Sequence, residues 1–433
     1  MRIFEWNRAD EAERKAVLAR PIAVRSDAVA EGVRNILTDI QARGVEAVDD
    51  WAIRLDGAPM RRLEITAAVV AEAEAAVEPG DLAALRTAAE NIRTFHVADR
   101  PCDGMIVETS KGVFSQRVWR PLDSVGLYVP AGTAPLFSTL LMLAIPAQVA
   151  GVGHRVVVTP PGPDGSVRPM MVLAAREAGV DALWVVGGAH AVAALALGAG
   201  LPRVSKIFGP GNAWVAEAKR QAADLPGGPA IDLPAGPSEL MIIADGGAQP
   251  SIVAADLLGQ AEHDAEAQVL LVTPSRELAN AVGAEIERRL TDLPRATIAR
   301  QSLASGAIIL VRDEAEAVEI ANRYGPEHLS LQVQRPDDLL DGIRHAGAVF
   351  LGDGAAETFG DYIAGPSHVL PTDGAAKVHS GVSTTTFMKS FAVQRIAPGA
   401  LPALAAAAAR LARLESLEAH ALAAEARVGR VLR

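Results

Sequence analysis

Short valine-rich apolar segments that alternate with helical patterns constrain the fold of this chain more than any other feature. From Ser124 onward, SVGLYV, HRVVVTP and DALWVVG are each followed by glycine or proline and then by a helical pattern of apolar residues. After Asp232 the same rhythm returns in QVLLVTP, AIILVRD and AVFLGD. Strands that alternate with helices in this way form βαβ units with a mostly parallel sheet. The sequence therefore predicts two α/β units of similar size.

The two ends of the chain have a different pattern. The first hundred or so residues carry apolar side chains at three- to four-residue spacing, which predicts helices. Residues 401–433 are rich in alanine and leucine with interspersed arginines, and they predict one or two helices with a thin apolar face. Such a tail is expected to pack on something larger, either the body of its own chain or a partner subunit.

Composition narrows the class of protein. A length of 433 residues suits two to three domains, and 50% hydrophobic with 21% charged residues excludes a largely disordered chain. The formal net charge of −11 argues against a general binder of nucleic acid or of anionic membranes. The single cysteine, Cys102, excludes an intrachain disulfide and fits a reducing, cytoplasmic location.

Two segments bear on membrane or secretory targeting. The charged N-terminus MRIFEWNRADEAERK lacks the apolar stretch of a secretory signal. Residues 124–154 contain no Asp, Glu, Lys or Arg, but Pro130, Gly132, Pro135 and Pro146 interrupt the run. We interpret this stretch as a buried strand, a glycine-proline turn and a buried helix, because a membrane span needs about 20 apolar residues in one run.

Ligands of parallel-sheet proteins bind at the carboxyl ends of strands, so polar residues in the loops are candidates for a site. In KIFGPGNAWVAEAKR, the turn at residues 209–212 would bring backbone N–H groups to a phosphate at a helix N-terminus. Trp214 stands where the third glycine of the dinucleotide fingerprint belongs, which leaves an ordinary strand-to-helix turn as the alternative. In IDLPAGPSELMIIAD, Ser238 and Glu239 follow a proline-rich loop, which is either a rigid hinge or a holder of a ligand.

Histidines beside carboxylates mark further candidates. Gln260 and His263 are three residues apart and share a face of a predicted helix. Three other segments place such groups near turns or helix ends, namely Glu327 with His328, Asp361 with His368, and Glu415 with His420. A site built from imidazole nitrogen and carboxylate oxygen, without thiols, suits zinc or manganese.

At these segments the chain resembles the histidinol dehydrogenase family. The resemblance runs from about Ser26 to the end of the chain through motifs in the family's order: GLYVPAGTAP, VVGGAHAVAALALG, KIFGPGNAWVAEAKR, IDLPAGPSEL, GQAEHD, YGPEHL, GDYIAGPSHVLPT and EAHA. It implies an enzyme of histidine biosynthesis that oxidises L-histidinol through L-histidinaldehyde to L-histidine with two NAD molecules. It also implies a cytoplasmic homodimer with exchanged C-terminal tails and one zinc ion per subunit.

The resemblance implies a division of the chain into four parts. Residues 1–22 would be an N-terminal segment, and residues 23–127 with 238–382 would form a first Rossmann-like domain. Residues 128–237 would form a second Rossmann-like domain that binds NAD, and residues 383–433 would be a helical tail that docks on the partner subunit.

Carried onto this sequence residue by residue, the resemblance assigns a site. The zinc ligands would be Gln260, His263, Asp361 and His420. The substrate would contact these four residues together with Ser238, His328, His368 and Glu415. NAD would contact Tyr128, His190 and Asn212.

The same resemblance assigns the chemistry. His328 would take the alcohol proton while hydride leaves carbon, since the pKa of histidine lies near working pH. Glu327 would activate the water that hydrates the aldehyde, and His328 would act again on the hydrate. Position 190 is a departure, because the family is expected to have glutamine there. Lys377 stands where arginine is frequent in the family, and Cys102 matches no active-site element.

Two other functions stay open at this point. Some relatives oxidise other small alcohols such as sulfopropanediol, and they tend to lose the residues that bind histidinol. A non-catalytic relative that binds a metabolite is a different class. The presence of both Glu327 and His328 argues against it, because binding alone needs no base beside a water-activating carboxylate.

Overall fold

The computed structural model describes residues 1–21, 26–131, 136–233 and 236–431. The strands, in chain order, are β1 (Arg2–Glu5), β2 (Arg61–Glu64), β3 (Val107–Ser110), β4 (Val113–Pro121), β5 (Ser124–Tyr128), β6 (His154–Thr159), β7 (Ala182–Val185), β8 (Lys206–Phe208), β9 (Ala230–Ile231), β10 (Glu239–Ala244), β11 (Gln268–Thr273), β12 (Ala307–Leu310), β13 (His328–Gln332), β14 (Ala348–Leu351) and β15 (Met388–Ile396).

The helices, in chain order, are α1 (Glu11–Val17), α2 (Asp27–Arg43), α3 (Val45–Asp56), α4 (Ala67–Ala75), α5 (Pro79–Asp99), α6 (Phe137–Ala150), α7 (Pro169–Glu177), α8 (Gly188–Leu197), α9 (Ala213–Ala223), α10 (Pro250–Ala261), α11 (Arg276–Arg289), α12 (Ala296–Ser305), α13 (Glu314–Tyr324), α14 (Pro336–Leu340), α15 (Glu357–Tyr362), α16 (Leu401–Leu414) and α17 (Glu418–Val431). Short 3₁₀ turns cover Trp6–Arg8, Ala375–Lys377, Thr384–Phe387 and Pro398–Ala400.

The chain divides into two compact units, and the first comprises residues 1–99 and 123–387. It contains two six-stranded sheets, the β10 sheet with the order β1-β12-β11-β10-β13-β14 and the β5 sheet with the order β2-β7-β6-β5-β8-β9. In the described residues every pair is parallel except β2 with β7. This confirms the predicted α/β fold with mostly parallel sheets. The strand β1 is a difference, since a helical start was expected.

Burial on both faces explains why β10, β11 and β12 are nearly continuous apolar runs. Along β10, Leu240 and Ile242 pack into one hydrophobic cluster, and Met241 and Ile243 pack into the cluster on the opposite face. Alternate side chains of a strand point to opposite faces, so both faces need apolar residues when helices cover both.

The uncharged stretch at residues 124–154 contains β5 followed by α6, as predicted. The helix α6 is 14 residues long and buried along most of its length, because β5 and β6 and the helices α5 and α7 surround it. Across the described ranges, no helix is long and apolar enough to cross a membrane. The predicted turn at Gly132 and Pro135 lies outside the described residues.

The packing of residues 27–64 differs from the grouping that the resemblance implied. Residues 23–127 were expected to join residues 238–382, but α2 packs against α8 and α9, and β2 pairs with β7. The buried side chains of α2 and α3 share one hydrophobic cluster with side chains of β6, a strand of the β5 sheet, and of α8. The predicted boundary at residues 22 and 23 falls outside the described residues.

The second unit comprises Arg100–Leu122 and Met388–Arg433. Its sheet is antiparallel with the order β15-β4-β3, and β15 pairs with β4 from Met388 opposite Pro121 to Ile396 opposite Val113. The helices α16 and α17 pack against each other, which confirms the helices predicted for the tail as far as residue 431. The nine-residue strand β15 was not predicted within the tail.

A buried histidine of α5 gives the first unit a pH-dependent stability. His96 shares the inner face of α5 with Leu85 and Ile92, its Nε2 is buried without a hydrogen-bond partner in the described structure, and burial lowers its pKa to about 4. The unfolded chain therefore takes up this proton near the ordinary value of 6.5, before the folded protein does. Stability is present above that value and is lost as pH falls from about 6.5 to about 4.

We expect His96→Gln to weaken this dependence. Between pH 7 and 4.5 the wild-type protein should lose about 2.5 kcal/mol more unfolding free energy than the variant, from the difference between the two pKa values. Urea titration followed by tryptophan fluorescence at both pH values measures the difference. His154→Gln, at an exposed histidine of β6, is the matched control. Equal pH shifts in the His96 variant and the control would contradict the prediction.

Candidate functional site

The predicted site residues lie at the carboxyl ends of strands in the β5 sheet but at the amino ends of strands in the β10 sheet. Tyr128 closes β5 and Asn212 follows β8, so both lie at the carboxyl ends, where the strand order of the β5 sheet reverses. Glu327 and His328 instead lie at the amino end of β13, and Ser238 lies at the amino end of β10. The rule that placed every candidate at carboxyl ends is therefore wrong for the β10 sheet.

The backbone of Glu239 holds Glu327 and His328 in place. The N–H group of Glu239 donates to Oε2 of Glu327 at 2.9 Å, and its carbonyl oxygen lies 3.1 Å from Nδ1 of His328. Since a carbonyl only accepts, Nδ1 carries a proton, and Nε2 is the nitrogen left for chemistry. Nε2 is buried and has no hydrogen-bond partner among the described residues.

Three carboxyl groups surround the His328 ring. Oε2 of Glu327 and Oε1 of Glu357 lie 3.7 and 3.9 Å from Nδ1, and Oδ1 of Asp361 lies 3.7 Å from Nε2. Burial lowers the pKa of His328, but the charges of Glu357, Glu327 and Asp361 outweigh burial and raise it to about 10. Burial raises the pKa of the Glu327 carboxyl group to about 7 and the pKa of the Glu357 carboxyl group to about 8.

This concentration of carboxyl groups in a buried place suits a bound cation. Burying like charges together is costly, and an added positive charge relieves the repulsion and lowers the pKa of a neighbouring imidazole. Two further buried oxygens, Oε2 of Glu357 and Oε1 of Gln260, have no hydrogen-bond partner in the described part of the chain. Buried polar atoms are normally satisfied, so these oxygens indicate a missing partner.

A second histidine is fixed against α15. Nδ1 of His368 lies 2.8 Å from the carbonyl oxygen of Asp361, and its Nε2 lies 3.1 Å from the hydroxyl of Thr139 on α6. Burial lowers the pKa of His368 below its usual range, so its ring is neutral near pH 7. The structure therefore brings Asp361, His368 and His328 together.

The four expected metal ligands differ in their burial and in the elements that carry them. Gln260 is buried in the last turn of α10, but the helix ends at Ala261, so exposed His263 lies in the following turn and does not share a helical face with it. His263 and Tyr362, the residue that follows Asp361, line one common cleft. No trio of His, Cys, Asp and Glu in the described residues has an arrangement that holds a metal ion.

Three further predicted residues belong to the second unit and to the start of β10. Glu415 follows α16 and His420 lies on α17, and both are exposed in the second unit. Ser238 is partly buried and precedes β10, where its carbonyl accepts from the N–H group of Gln268. Pro234, expected to stiffen this loop, lies outside the described residues.

A cleft of about 740 Å³ connects the three predicted NAD contacts with the turn after α10. Tyr128, His190 and Asn212 line it together with His263 and Tyr362. It lies at the switch point of the β5 sheet, where α/β proteins bind nucleotides. Asn212 caps α9 by accepting from the N–H groups of Trp214 and Val215, so the turn is both a helix start and a cleft wall.

One glycine of this turn has a clear physical role. Gly209 has a φ of +117°, and a Cβ there would lie 2.0 Å from the carbonyl oxygen of Tyr128. Any other residue would push β8 away from the end of β5. The N–H group of Gly209 donates to Oδ2 of Asp232 at 2.7 Å, and the buried Lys219 also contacts Asp232.

His190 is fully buried and has a partner that the sequence did not indicate. Its Nε2 lies 3.0 Å from Oδ2 of Asp56, the same oxygen that accepts from the N–H group of Gly187. The hydroxyl of Tyr128 accepts from the N–H group of Gly188 at 3.1 Å, and burial raises its pKa to about 12. Asp56 therefore joins His190 to the turn before α8.

Sequence reasoning missed several residues of the site. Glu357 precedes Asp361 by one helical turn, and this spacing could have revealed it. The sequence points to Glu239 beside Ser238 but assigns it no role in the reaction. Asp56 and Arg20 carry no local signal, because their partners Gly187 and Glu239 are 131 and 219 residues away.

Comparisons with known proteins agree with one another. A profile described as histidinol dehydrogenase matches residues 20–428. The histidinol dehydrogenase of Xanthomonas oryzae pv. oryzae is 46% identical over 430 residues, covering 99% of both chains. That of Salmonella typhimurium is 44% identical over 429 residues, covering 98% of this chain and 97% of its own. The solved histidinol dehydrogenase of Elizabethkingia anophelis matches with a TM-score of 0.95 and 35% identity, covering 100% of this chain and 99% of its own.

Proposed function

The chain belongs to the histidinol dehydrogenase family, and from that premise we propose that it oxidises L-histidinol through L-histidinaldehyde to L-histidine with two NAD molecules in succession. The observation that carries the proposal is the buried pair of Glu327 and His328 beside the carboxyl groups of Glu357 and Asp361, in a chain that also has a cleft at a nucleotide-type switch point. Such a reaction belongs to histidine biosynthesis, in the cytoplasm.

In each oxidation a proton leaves an oxygen while hydride leaves the adjacent carbon for NAD. His328 is suited to receive the proton, because Nδ1–H is fixed on the carbonyl of Glu239 and Nε2 makes no hydrogen bond in the described structure. General bases of this kind contribute about 10²–10⁴-fold to a rate. A positively charged or metal-bound substrate beside the carboxyl groups would lower the pKa of His328 toward a value at which it acts as a base.

Between the two oxidations the aldehyde must add water. Oε2 of Glu327 is engaged by the N–H group of Glu239, which leaves Oε1 to act on that water. With a pKa of about 7, Glu327 can both accept and release a proton near neutral pH. The adjacent position of Glu327 and His328 lets one bound substrate meet both groups.

The donor types of the residues that the resemblance assigns suit a zinc site. Gln260, His263, Asp361 and His420 would be its ligands, and the buried, unpartnered Oε1 of Gln260 is the observation that supports it in the described structure. Nitrogen and oxygen donors without thiols suit zinc. When bound, the metal would orient the substrate and favour the neutral form of its imidazole. Ser238, His368 and Glu415 would hold the rest of the substrate.

We expect chelation to abolish turnover without unfolding the protein. The four ligand side chains take no part in the three hydrophobic clusters, so the core does not depend on the metal. Far-ultraviolet circular dichroism should stay unchanged while NADH formation disappears, and added zinc should restore it. A global loss of helical signal on chelation would show that the metal is structural.

The NAD site is proposed in the cleft lined by Tyr128, His190 and Asn212. Because His190 is held by Asp56, it would shape the wall and leave direct contacts to its neighbours. The exposed cysteine, Cys102, lies in the second unit and has no part in the scheme.

A homodimer with exchanged C-terminal tails is part of the proposal. Leu411 and Leu414 on α16 are 64% and 76% exposed, and Leu422 on α17 is 56% exposed. Apolar side chains that a helix pair leaves uncovered are typical of an interface. A tail docked on the partner subunit would bring Glu415 and His420 to the site of that subunit.

Turnover by the purified protein tests the function. Wild-type protein with zinc and NAD should form two NADH per L-histidinol, with histidine as the product. Turnover of sulfopropanediol in place of histidinol would favour a relative with another alcohol substrate. Binding of histidinol without any NADH would favour a non-catalytic relative.

A further inference from the structure

A buried ion pair lies directly behind the catalytic pair. The guanidinium of Arg20 donates to Glu239 through both Nε, at 2.5 Å from Oε1, and Nη2, at 2.9 Å from Oε2. The side chain of Glu239 is 3% exposed and that of Arg20 is 19% exposed. This two-point geometry fixes orientation as well as distance, because the guanidinium and the carboxylate are both planar.

Arg20 also binds the chain that leads into β13. Its Nη2 lies 3.1 Å from the carbonyl oxygen of Tyr324 and 3.3 Å from that of Gly325, and its guanidinium lies 3.9 Å above the Tyr324 ring. The N–H group of Asp373 donates to Oε1 of Glu239 at 2.8 Å. One guanidinium therefore ties the start of β10 to the turn that carries Glu327.

Glu239, which Arg20 anchors, is the residue whose backbone orients Glu327 and His328. The N–H group of Glu239 holds Glu327, and its carbonyl oxygen holds Nδ1 of His328. Movement of the Glu239 peptide groups would displace both side chains at once. Neither Arg20 nor Glu239 lines the cleft, so neither is placed to touch the cofactor there.

We propose that Arg20 and Glu239 are positioning residues, which hold the peptide groups of residue 239 where they orient Glu327 and His328 for both oxidations. The proposal rests on the proposed function. It assigns a role in turnover to the segment after α1, which contributes Arg20 and none of the predicted site residues. Small displacements of catalytic groups cost about 10²-fold in rate.

The test compares Arg20→Gln, Arg20→Lys and a matched control. Arg20→Gln should lower kcat by about tenfold or more while KM for histidinol and for NAD stays within about twofold, because positioning affects the reacting geometry more than binding. Arg20→Lys keeps the charge without the planar fork and should recover part of the rate. Histidinol and histidinaldehyde should be affected equally, since both catalytic residues depend on Glu239.

The control is Arg323→Gln. Arg323 on α13 forms an exposed ion pair with Glu11 on α1, so it links the same two regions without reaching the site. Its kcat should equal that of the wild type. If the wild type itself does not oxidise histidinol, the proposed function fails. If the wild type is active and folded Arg20→Gln keeps kcat within twofold, the positioning role is overturned.

A second variant keeps the proposal testable if Arg20→Gln does not fold. Arg20→Gln leaves Glu239 buried without its counter-ion, which destabilises the fold. The double variant Arg20→Met with Glu239→Gln removes both charges together. A folded double variant with reduced kcat and unchanged KM supports the proposal. Wild-type kcat in the double variant, or its failure to fold, would assign the pair a structural role alone.

Discussion

Replacing His328 with alanine is expected to lower NADH formation by about 10²–10⁴-fold with histidinol and with histidinaldehyde alike. Both oxidations release a proton from oxygen, and Nε2 of His328, whose ring lies beside Glu327, is a buried basic nitrogen that makes no hydrogen bond in the described structure. Steady-state NADH absorbance with each substrate gives the two rates. His154→Ala, at an exposed histidine, should retain the wild-type rates.

Glu327→Gln should fail differently. Glutamine can keep the hydrogen bond from the N–H group of Glu239 but cannot accept a proton, so hydration of the aldehyde slows while the first hydride transfer survives. Histidinol should still yield about one NADH per site in a rapid phase, with slow turnover afterwards. Histidinaldehyde should yield NADH slowly from the start. Equal losses with the two substrates would contradict the division of roles between Glu327 and His328.

Mixing two inactive variants is expected to restore about a quarter of the wild-type activity. Glu327→Gln damages the body of the site and His420→Ala damages the tail. If tails are exchanged in the dimer, a mixed dimer has one site with both lesions and one site with none. Random assortment makes half of the dimers mixed, and half of their sites are intact, so one half times one half gives about one quarter.

Co-expression or joint refolding would produce the mixed dimers, and mass spectrometry would verify them. Exchange is expected because the exposed leucines of α16 and α17 need a surface to cover them. Each parent variant alone, taken through the same procedure, is the control and should stay inactive. No recovery in verified mixed dimers would place His420 in the site of its own chain.

The local pattern of the chain was enough for most elements and for the central motif. Short apolar runs bounded by glycine, proline or charged residues predicted β5, β6, β7, β11, β12 and β14, because strands of a parallel sheet that helices cover leave a nearly unbroken apolar signal. The alanine-rich end predicted α16 and α17 through intrinsic helix propensity. Glu327 and His328 were recognised because the YGPEHL motif is contiguous in sequence.

Other elements have no local signal. The strand β13 was not predicted, since HLSLQ carries polar residues that the structure buries between β10 and β14. The strand β15 is half exposed and pairs with β4, whose residues lie more than 260 positions earlier in the chain. Pairing of that kind depends on the closed fold and leaves no periodicity that a single segment can show.

The sequence by itself determined the fold class, the family and the residue types of the site. The tertiary structure decided where Glu327 and His328 lie: at the amino end of β13, beside the carboxyl groups of Glu357 and Asp361. It also decided which groups orient them, because the peptide groups of Glu239 and the guanidinium of Arg20 act through distances that only a folded backbone sets. Chemistry is carried by residue type, which a sequence states, whereas orientation and pKa depend on neighbours that are distant in the chain.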